Sequence, residues 1–170
     1  NAQIKVAKVL SRTINAVVRV PIKCIVLDLD NTLWGGVIGE DGLLGIQLGN
    51  NYPGNVFKDF QQTLLGLRDQ GVLLAIASKN NIKDVSEVFE NHTDCILKMD
   101  DFSAVQIHWE DKAKSIKNIS KELNIGLDSI IFFDDNPVER LWVKEQLPDV
   151  KVINVPNNPI DYIRSLINSQ

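Results

Sequence analysis

The chain has 170 residues, a length that fits one domain, and its composition of 44% hydrophobic and 24% charged residues is that of a globular protein. The net charge of −4 offers no basic surface for nucleic acid, and no apolar stretch reaches the ~20 residues that a membrane span requires. The two cysteines, Cys24 and Cys95, form no Cys-x-x-Cys pair, which favours a reducing, cytoplasmic location over a disulfide framework.

The first segment of the chain differs from the rest. Apolar residues recur at helical spacing over residues 4–19, which predicts an amphipathic helix that Pro21 ends. We interpret residues 1–21 as an N-terminal linker or helical extension, and residues 22–170 as one folded domain.

From residue 22 onwards, predicted strands alternate with predicted helices. Short apolar runs predict strands at residues 22–28, 72–77, 95–97 and 130–133, and an edge strand at 151–154. Helices are predicted at residues 53–70, 82–91, 111–124, from Pro137 onwards, and at 159–168. The glycine-rich segment 34–50 predicts a β-hairpin flap, not a helix. This alternation predicts an α/β fold, a parallel sheet flanked by helices with right-handed crossovers.

Polar side chains follow four of the predicted strands. They are Asp28 and Asp30 after the first strand, Ser78 after the second, Lys112 after the third strand and a loop, and Asp134 and Asp135 after the fourth. Ligands of such sheets bind beyond the carboxyl ends of the strands, so we expect these side chains to converge. Converging carboxylates repel one another unless a cation lies between them, and oxygen ligands beside a phosphate favour Mg²⁺.

These residue types suit phosphoryl transfer. An ionised aspartate can attack phosphorus in line, and a second acid can protonate the leaving oxygen and later deprotonate water. Ser78, with the backbone amides of Lys79 and Asn80 at a helix start, can bind phosphoryl oxygens. Lys112 can neutralise the charge that develops on them. Each residue taken alone could instead be a helix cap, a turn residue or a solvated charge.

The four motifs resemble those of the haloacid dehalogenase-like (HAD) superfamily, whose first motif is matched by Asp28-Leu-Asp30-Asn-Thr32. The resemblance implies a HAD-like Rossmannoid sheet with Asp28 as nucleophile and Asp30 as general acid/base. It also implies Mg²⁺ held by Asp28, the backbone carbonyl of Asp30 and Asp134, with Asp135 in support. The implied substrate- and phosphate-binding residues are Ser78, Lys79, Asn80, Thr32 and Trp34.

A narrower similarity, to FkbH-like domains of polyketide assembly lines, runs over nearly all of residues 22–165 and is carried by segments 23–42, 78–81 and 133–140. Such domains take a glyceryl group from 1,3-bisphosphoglycerate, remove its remaining phosphate and pass the acyl group to an acyl carrier protein. The similarity implies that the chain is part of a larger megasynthase. No large cap domain is expected between the flap and the second strand, and an open site would suit a carrier.

The sequence departs from the FkbH-like pattern at Ala77, where that family usually has the acyl-accepting cysteine before the motif serine. Cys24 lies about 13 Å from Asp28 along the first strand at ~3.3 Å per residue, and Cys95 is expected to be a buried apolar residue. Either a cysteine has been changed to Ala77 to stop turnover, or this protein has kept only its phosphate chemistry.

Three functions remain open on the sequence alone. The first is glyceryl transfer to a carrier protein, the second is plain phosphatase activity on a small metabolite or a protein, and the third is a non-catalytic docking module. Two side-chain roles are open as well. Trp34 either shapes the substrate site or anchors the flap in the core, and His108, beside Trp109, either contacts substrate or is solvated.

Overall fold

The computed structural model describes residues 21–169 of the chain. The helix predicted over residues 4–19 lies outside the described residues. Among the helices at residues 21–169, none has both the length and the apolar character needed to cross a membrane.

The domain is built on a five-stranded parallel sheet with the strand order β3-β2-β1-β4-β5. The strands are β1 (Cys24–Leu27), β2 (Leu73–Ser78), β3 (Ala104–Ile107), β4 (Ile130–Phe133) and β5 (Lys151–Val152). Leu27 of β1 pairs with Ile76 of β2 and with Phe133 of β4, so the carboxyl ends of these three strands are aligned. The predicted parallel sheet is confirmed, with β5 as a shorter edge strand than expected.

Six α-helices flank the sheet within the described residues. They are α1 (Ile38–Gly45), α2 (Gly54–Asp69), α3 (Ile82–Asn91), α4 (Lys112–Glu122), α5 (Pro137–Gln146) and α6 (Tyr162–Ile167). Two of them begin next to the site and carry side-chain caps. The carboxylate of Asp111 accepts a hydrogen bond from the amide of Ala113 at the start of α4, and Asn136 caps α5 in the same way. These caps fix where each helix begins.

The hairpin predicted for residues 34–50 is wrong, because antiparallel pairing is limited to Gly35 and Gln47 and residues 38–45 between them are helical. Gly35 and Gln47 exchange two backbone hydrogen bonds, but the chain between them forms α1. Gly42 interrupts this helix with a φ of 67°, a left-handed conformation that glycine adopts without strain. The insertion is therefore a compact helical flap, and no large cap domain lies between β1 and β2.

The strand predicted at residues 95–97 is also wrong, and β3 lies at residues 104–107 instead. The buried side chain of Gln61 in α2 accepts hydrogen bonds from the backbone amides of Ile96 and Leu97 and donates one to the carbonyl of Leu33. A side-chain amide thus satisfies backbone groups that a sheet partner would otherwise satisfy.

The two faces of the sheet are packed differently. One, the aromatic face, is covered by a cluster that includes Trp34, Phe57, Phe60, Phe89, Phe133 and Tyr162. The other, the alanine-rich face, is covered by a cluster that includes Cys24, Val26, Ala75, Ala77, Ala104 and Ala113. Side chains alternate between the faces along each strand, as parallel strands buried on both sides require.

Candidate active site

Three carboxylates meet at the carboxyl ends of β1 and β4. Oxygen atoms of Asp28, Asp134 and Asp135 all lie within 4.8 Å of one another. The ammonium group of Lys112, the first residue of α4, lies 3.1 Å from Asp28 Oδ1 and 2.5 Å from Asp134 Oδ2. One cation against three acids leaves a surplus of negative charge. Since Mg²⁺ prefers oxygen ligands and carboxylates, the cluster fits Mg²⁺, the predicted cofactor.

The protonation of this cluster reflects its burial. Burial, followed by repulsion from Asp28, raises the pKa of Asp134 to about 7 and that of Asp135 to about 6, against the opposing attraction of Lys112. Burial by itself lowers the pKa of Lys112, but attraction to Asp28 and Asp134 outweighs it, so this pKa lies above its usual value. Additional positive charge at the cluster would therefore favour the ionised acids.

Asp30 lies beside this cluster but its carboxylate is not part of it. Asp30 Oδ1 accepts hydrogen bonds from the indole of Trp34 at 2.9 Å and the amide of Ile38 at 3.0 Å, and Oδ2 accepts one from Asn80 at 2.8 Å. The flap and the loop after β2 thus hold the Asp30 carboxylate in one orientation at the edge of the pocket.

Trp34 is an anchor of the flap. Its side chain is fully buried and packs edge-on against Phe89, with ring centroids 5.9 Å apart. It does not line the pocket, which favours the core-anchor alternative over the substrate-shaping one. Thr32 and Asn80 are buried too, and their side chains contact the acids: Thr32 Oγ1 lies 3.4 Å from Asp135 Oδ1. Both side chains therefore help to orient carboxylates, and the expected binding of phosphoryl oxygens by the backbone amide of Asn80 stays a prediction.

A pocket of about 220 Å³ opens above the acids. Its walls include the predicted residues Asp28, Asp30, Ser78, Lys79, Lys112 and Asp135. It is also lined by Asn31, Val37, Asn136 and Glu139, which the sequence analysis did not single out. Lys79 forms an ion pair with Glu139 at 2.5 Å on the wall of the pocket. The position of Glu139 in the first turn of α5, directly after the acidic pair, is a signal that could have identified it.

Arg140 is a second residue whose role the sequence did not reveal. Its Nη1 atom donates to the backbone carbonyls of Asp134 at 2.8 Å and Asp135 at 2.6 Å. The guanidinium group thereby holds the turn that presents both acids to the pocket.

Ala77 is fully buried on the alanine-rich face, one residue before Ser78. Asp28 and Ala77 directly follow the paired residues Leu27 and Ile76 on adjacent strands. A side chain at position 77 is therefore a neighbour of Asp28 across the sheet.

His108 and Trp109 lie outside the walls of the pocket. The imidazole of His108 contacts Gln106 at 3.0 Å, and the exposed Trp109 donates to Asn81 at 3.2 Å. These contacts favour the non-catalytic interpretation of His108.

Comparison with known proteins places this chain in a family. The family model of NLI interacting factor-like phosphatases matches residues 23–152. The N-terminal part of protein BF1531 from Bacteroides fragilis, described as containing a phosphatase domain complexed with Mg, is 42% identical with a TM-score of 0.89. That similarity covers 94% of this chain and 44% of that chain, so the sequence spans less than half of its relative. No curated protein matches significantly.

More distant structures share the fold. A HAD family enzyme of Bacteroides thetaiotaomicron in complex with magnesium and inorganic phosphate is 14% identical over 81% of this chain and 96% of that chain, with a TM-score of 0.56. A 3-deoxy-D-manno-octulosonate 8-phosphate phosphatase of Moraxella catarrhalis is 18% identical over 88% and 87% of the two chains, with a TM-score of 0.53. The predicted HAD-type fold is confirmed, while the FkbH-like subtype stays a prediction. The chain belongs to the NLI interacting factor-like phosphatases, within the HAD-type fold.

Proposed function

We propose that this chain hydrolyses phosphate monoesters in a Mg²⁺-dependent reaction with Asp28 as the nucleophile. The observation that carries the proposal is the position of Asp28, which lines the pocket while its carboxylate contacts Lys112 and the two acids after β4. A carboxylate held next to an ammonium group and open to a pocket can meet a phosphoryl group in line.

The residues around the pocket supply the remaining steps. A carboxylate oxygen of Asp28 bonds to phosphorus while the ester P–O bond breaks, and Asp30 gives a proton to the departing alkoxide. Water, deprotonated by Asp30, then attacks phosphorus, releasing inorganic phosphate and restoring the Asp28 carboxylate. Ser78 and the backbone amide of Lys79 bind phosphoryl oxygens. Mg²⁺, held by Asp28, Asp134 and the Asp30 carbonyl with support from Asp135, would offset the negative charge of the phosphoryl group.

Phosphate release under Mg²⁺ tests this proposal. Asp28→Asn keeps the shape of the side chain but removes the nucleophile, so we expect kcat to fall about 10⁴-fold with the fold intact by circular dichroism. Asp149→Asn is the matched control, because Asp149 is exposed and does not line the pocket. Phosphate release that persisted in Asp28→Asn would rule out Asp28 as the nucleophile.

Glyceryl transfer to an acyl carrier protein is the second candidate function. It is supported by the FkbH-like segments and by the position of residue 77 next to Asp28 in the sheet. A cysteine thiolate there would attack the acyl carbon of 1,3-bisphosphoglycerate and release phosphate. Because Ala77 is fully buried and does not line the pocket, this step requires position 77 to open to the substrate. The remaining phosphate would then be removed at Asp28. With Ala77 the first step is lost, which leaves phosphatase activity alone. The paired charges around Asp28 favour either catalytic function over a docking module.

Intact-protein mass spectrometry separates the two candidates. The chain and its Ala77→Cys variant would be incubated with Mg²⁺, 1,3-bisphosphoglycerate and an acyl carrier protein. A glyceryl adduct on Ala77→Cys alone, passed on to the carrier, would support the transferase. Ala104→Cys is the control, since Ala104 belongs to the same buried face but lies on the outer strand β3. Phosphate release without an adduct on any variant would contradict glyceryl transfer to an acyl carrier protein.

A further inference from the structure

A second cavity adjoins the phosphoryl pocket. It has a volume of about 320 Å³ and is lined by Lys79, Asp111, Val138, Glu139 and Trp142. Lys79 and Glu139 line both cavities, so their ion pair forms a wall between the two. A substrate whose phosphoryl group occupies the first cavity can therefore extend over this ion pair into the second.

The charged groups of the second cavity are already paired. Lys79 and Glu139 neutralise each other, and Asp111 Oδ1 accepts hydrogen bonds from the amide of Ala113 at 3.0 Å and the indole of Trp142 at 2.5 Å. A ligand there would gain little by competing for these charges, because it would have to break existing hydrogen bonds.

The exposed side-chain surface that remains available in this cavity is apolar. Val138 is 71% exposed and Trp142 is 44% exposed, although both are side chains that usually lie inside a protein. They are four residues apart on α5 and so lie on the same side of the helix. Exposed apolar side chains at the rim of a polar pocket are typical of a ligand site.

We infer that this cavity holds the leaving group of the substrate, and that the leaving group is an apolar alcohol with a planar or short extended body. The inference rests on the proposed hydrolysis at Asp28. We name the cavity lined by these five residues the leaving-group groove. Its volume lies at the low end of the roughly 300–1,000 Å³ of small-molecule sites, which suits one or two rings better than a protein segment.

Selectivity between two substrates tests the inference. The ratio of kcat/KM for 4-methylumbelliferyl phosphate to kcat/KM for glycerol 2-phosphate should fall about 10-fold in Trp142→Ala, because the aromatic leaving group loses its stacking surface. Trp142→Phe should keep most of the ratio, since it retains the ring while losing the hydrogen bond to Asp111. Leu141→Ala is the control: Leu141 is 59% exposed on the same helix but does not line the groove, and we expect no change.

Two results would overturn the inference. If Trp142→Ala lowers kcat/KM equally for both substrates, Trp142 acts through Asp111 at the start of α4 and does not bind the leaving group. If Trp142→Phe loses as much selectivity as Trp142→Ala, selectivity depends on the hydrogen bond between Trp142 and Asp111 and not on an aromatic surface for the leaving group.

A binding measurement keeps the groove testable should the wild-type chain hydrolyse neither substrate, which would refute the proposed function. NMR titration with 4-methylumbelliferone, the product alcohol, should then show binding that weakens in Trp142→Ala and is retained in Leu141→Ala. Absence of binding to the wild-type chain would overturn the inference as well.

Discussion

The aromatic face and the alanine-rich face of the sheet are packed by different means. On the aromatic face, rings meet one another: the centroid of Phe60 lies 5.0 Å from that of Phe133 and 5.7 Å from that of Tyr162. On the alanine-rich face, small side chains such as Ala77 and Ala113 let the backbone of α4 lie within 8 Å of β2 and β3. Large rings supply apolar burial on one side, whereas small residues on the other bring Lys112 to its carboxylates.

The largest expected effect is on the stability of the aromatic face. Phe60→Ala removes a fully buried ring and leaves a cavity, so the free energy of unfolding should fall by about 3–5 kcal/mol in urea denaturation. Leu44→Ala, at a side chain that is 99% exposed, should change it by less than about 0.5 kcal/mol. A loss at Phe60 below about 1 kcal/mol would contradict the assignment of this face as the main apolar core.

The next effect lies where the alanine-rich face meets the site. Lys112→Met removes the ammonium group shared by Asp28 and Asp134, so kcat for phosphate release should fall about 10²- to 10³-fold. Lys114→Met is the matched control on the same helix, because Lys114 is exposed and pairs with Glu110. Equal activities of the two variants would show that Lys112 has no part in charge stabilisation.

A third test asks whether the small side chains between α4 and the sheet are needed to position Lys112. Ala113→Leu inserts bulk between α4 and the sheet, which should cost about 1–3 kcal/mol of stability and displace the adjoining Lys112. We therefore expect kcat to fall together with the melting temperature. Lys117→Leu introduces the same side chain on the exposed side of α4 and should leave both unchanged. A loss of stability with full activity would uncouple the packing of this face from the site.

The smallest effect concerns the two thiols, one on each face. Burial raises the pKa of Cys24 to about 12 and that of Cys95 to about 11. A raised pKa lowers the fraction of reactive thiolate, so neither should react with Ellman's reagent at pH 8 in the native protein, and both should react in urea. Faster labelling at pH 8 of one thiol would identify the face that opens more often.

The sequence predicted the centre of the sheet and the convergence of the acids for a physical reason. The strands β1, β2 and β4 are fully or almost fully buried, so they appear as uninterrupted apolar runs. Their ends carry Asp28, Ser78 and Asp134, and parallel pairing places such ends at one edge. The general position of the site therefore follows from the order of hydrophobic and polar residues.

The edges of the domain were harder to predict. The strand β3 lies at the edge of the sheet and contains the polar Gln106, so it lacks the apolar run that residues 95–97 happen to show. The flap contains left-handed conformations at Gly36 and at Gly42, which composition does not reveal. Contacts between distant segments, such as the pairing of Lys79 with Glu139, arise from the tertiary fold and leave no local pattern in the sequence.

The buried Gln61 also bears on how the protein folds. Its amide joins α2 to Leu33, which lies 28 residues earlier, and to Ile96 and Leu97, which lie 35 and 36 residues later. Contacts between such distant segments close long loops, and the entropy of loop closure is lost before those contacts compensate for it. We expect these hydrogen bonds to form after the folding barrier, so they should slow unfolding without speeding folding. One buried amide thereby contributes to the lifetime of the native state.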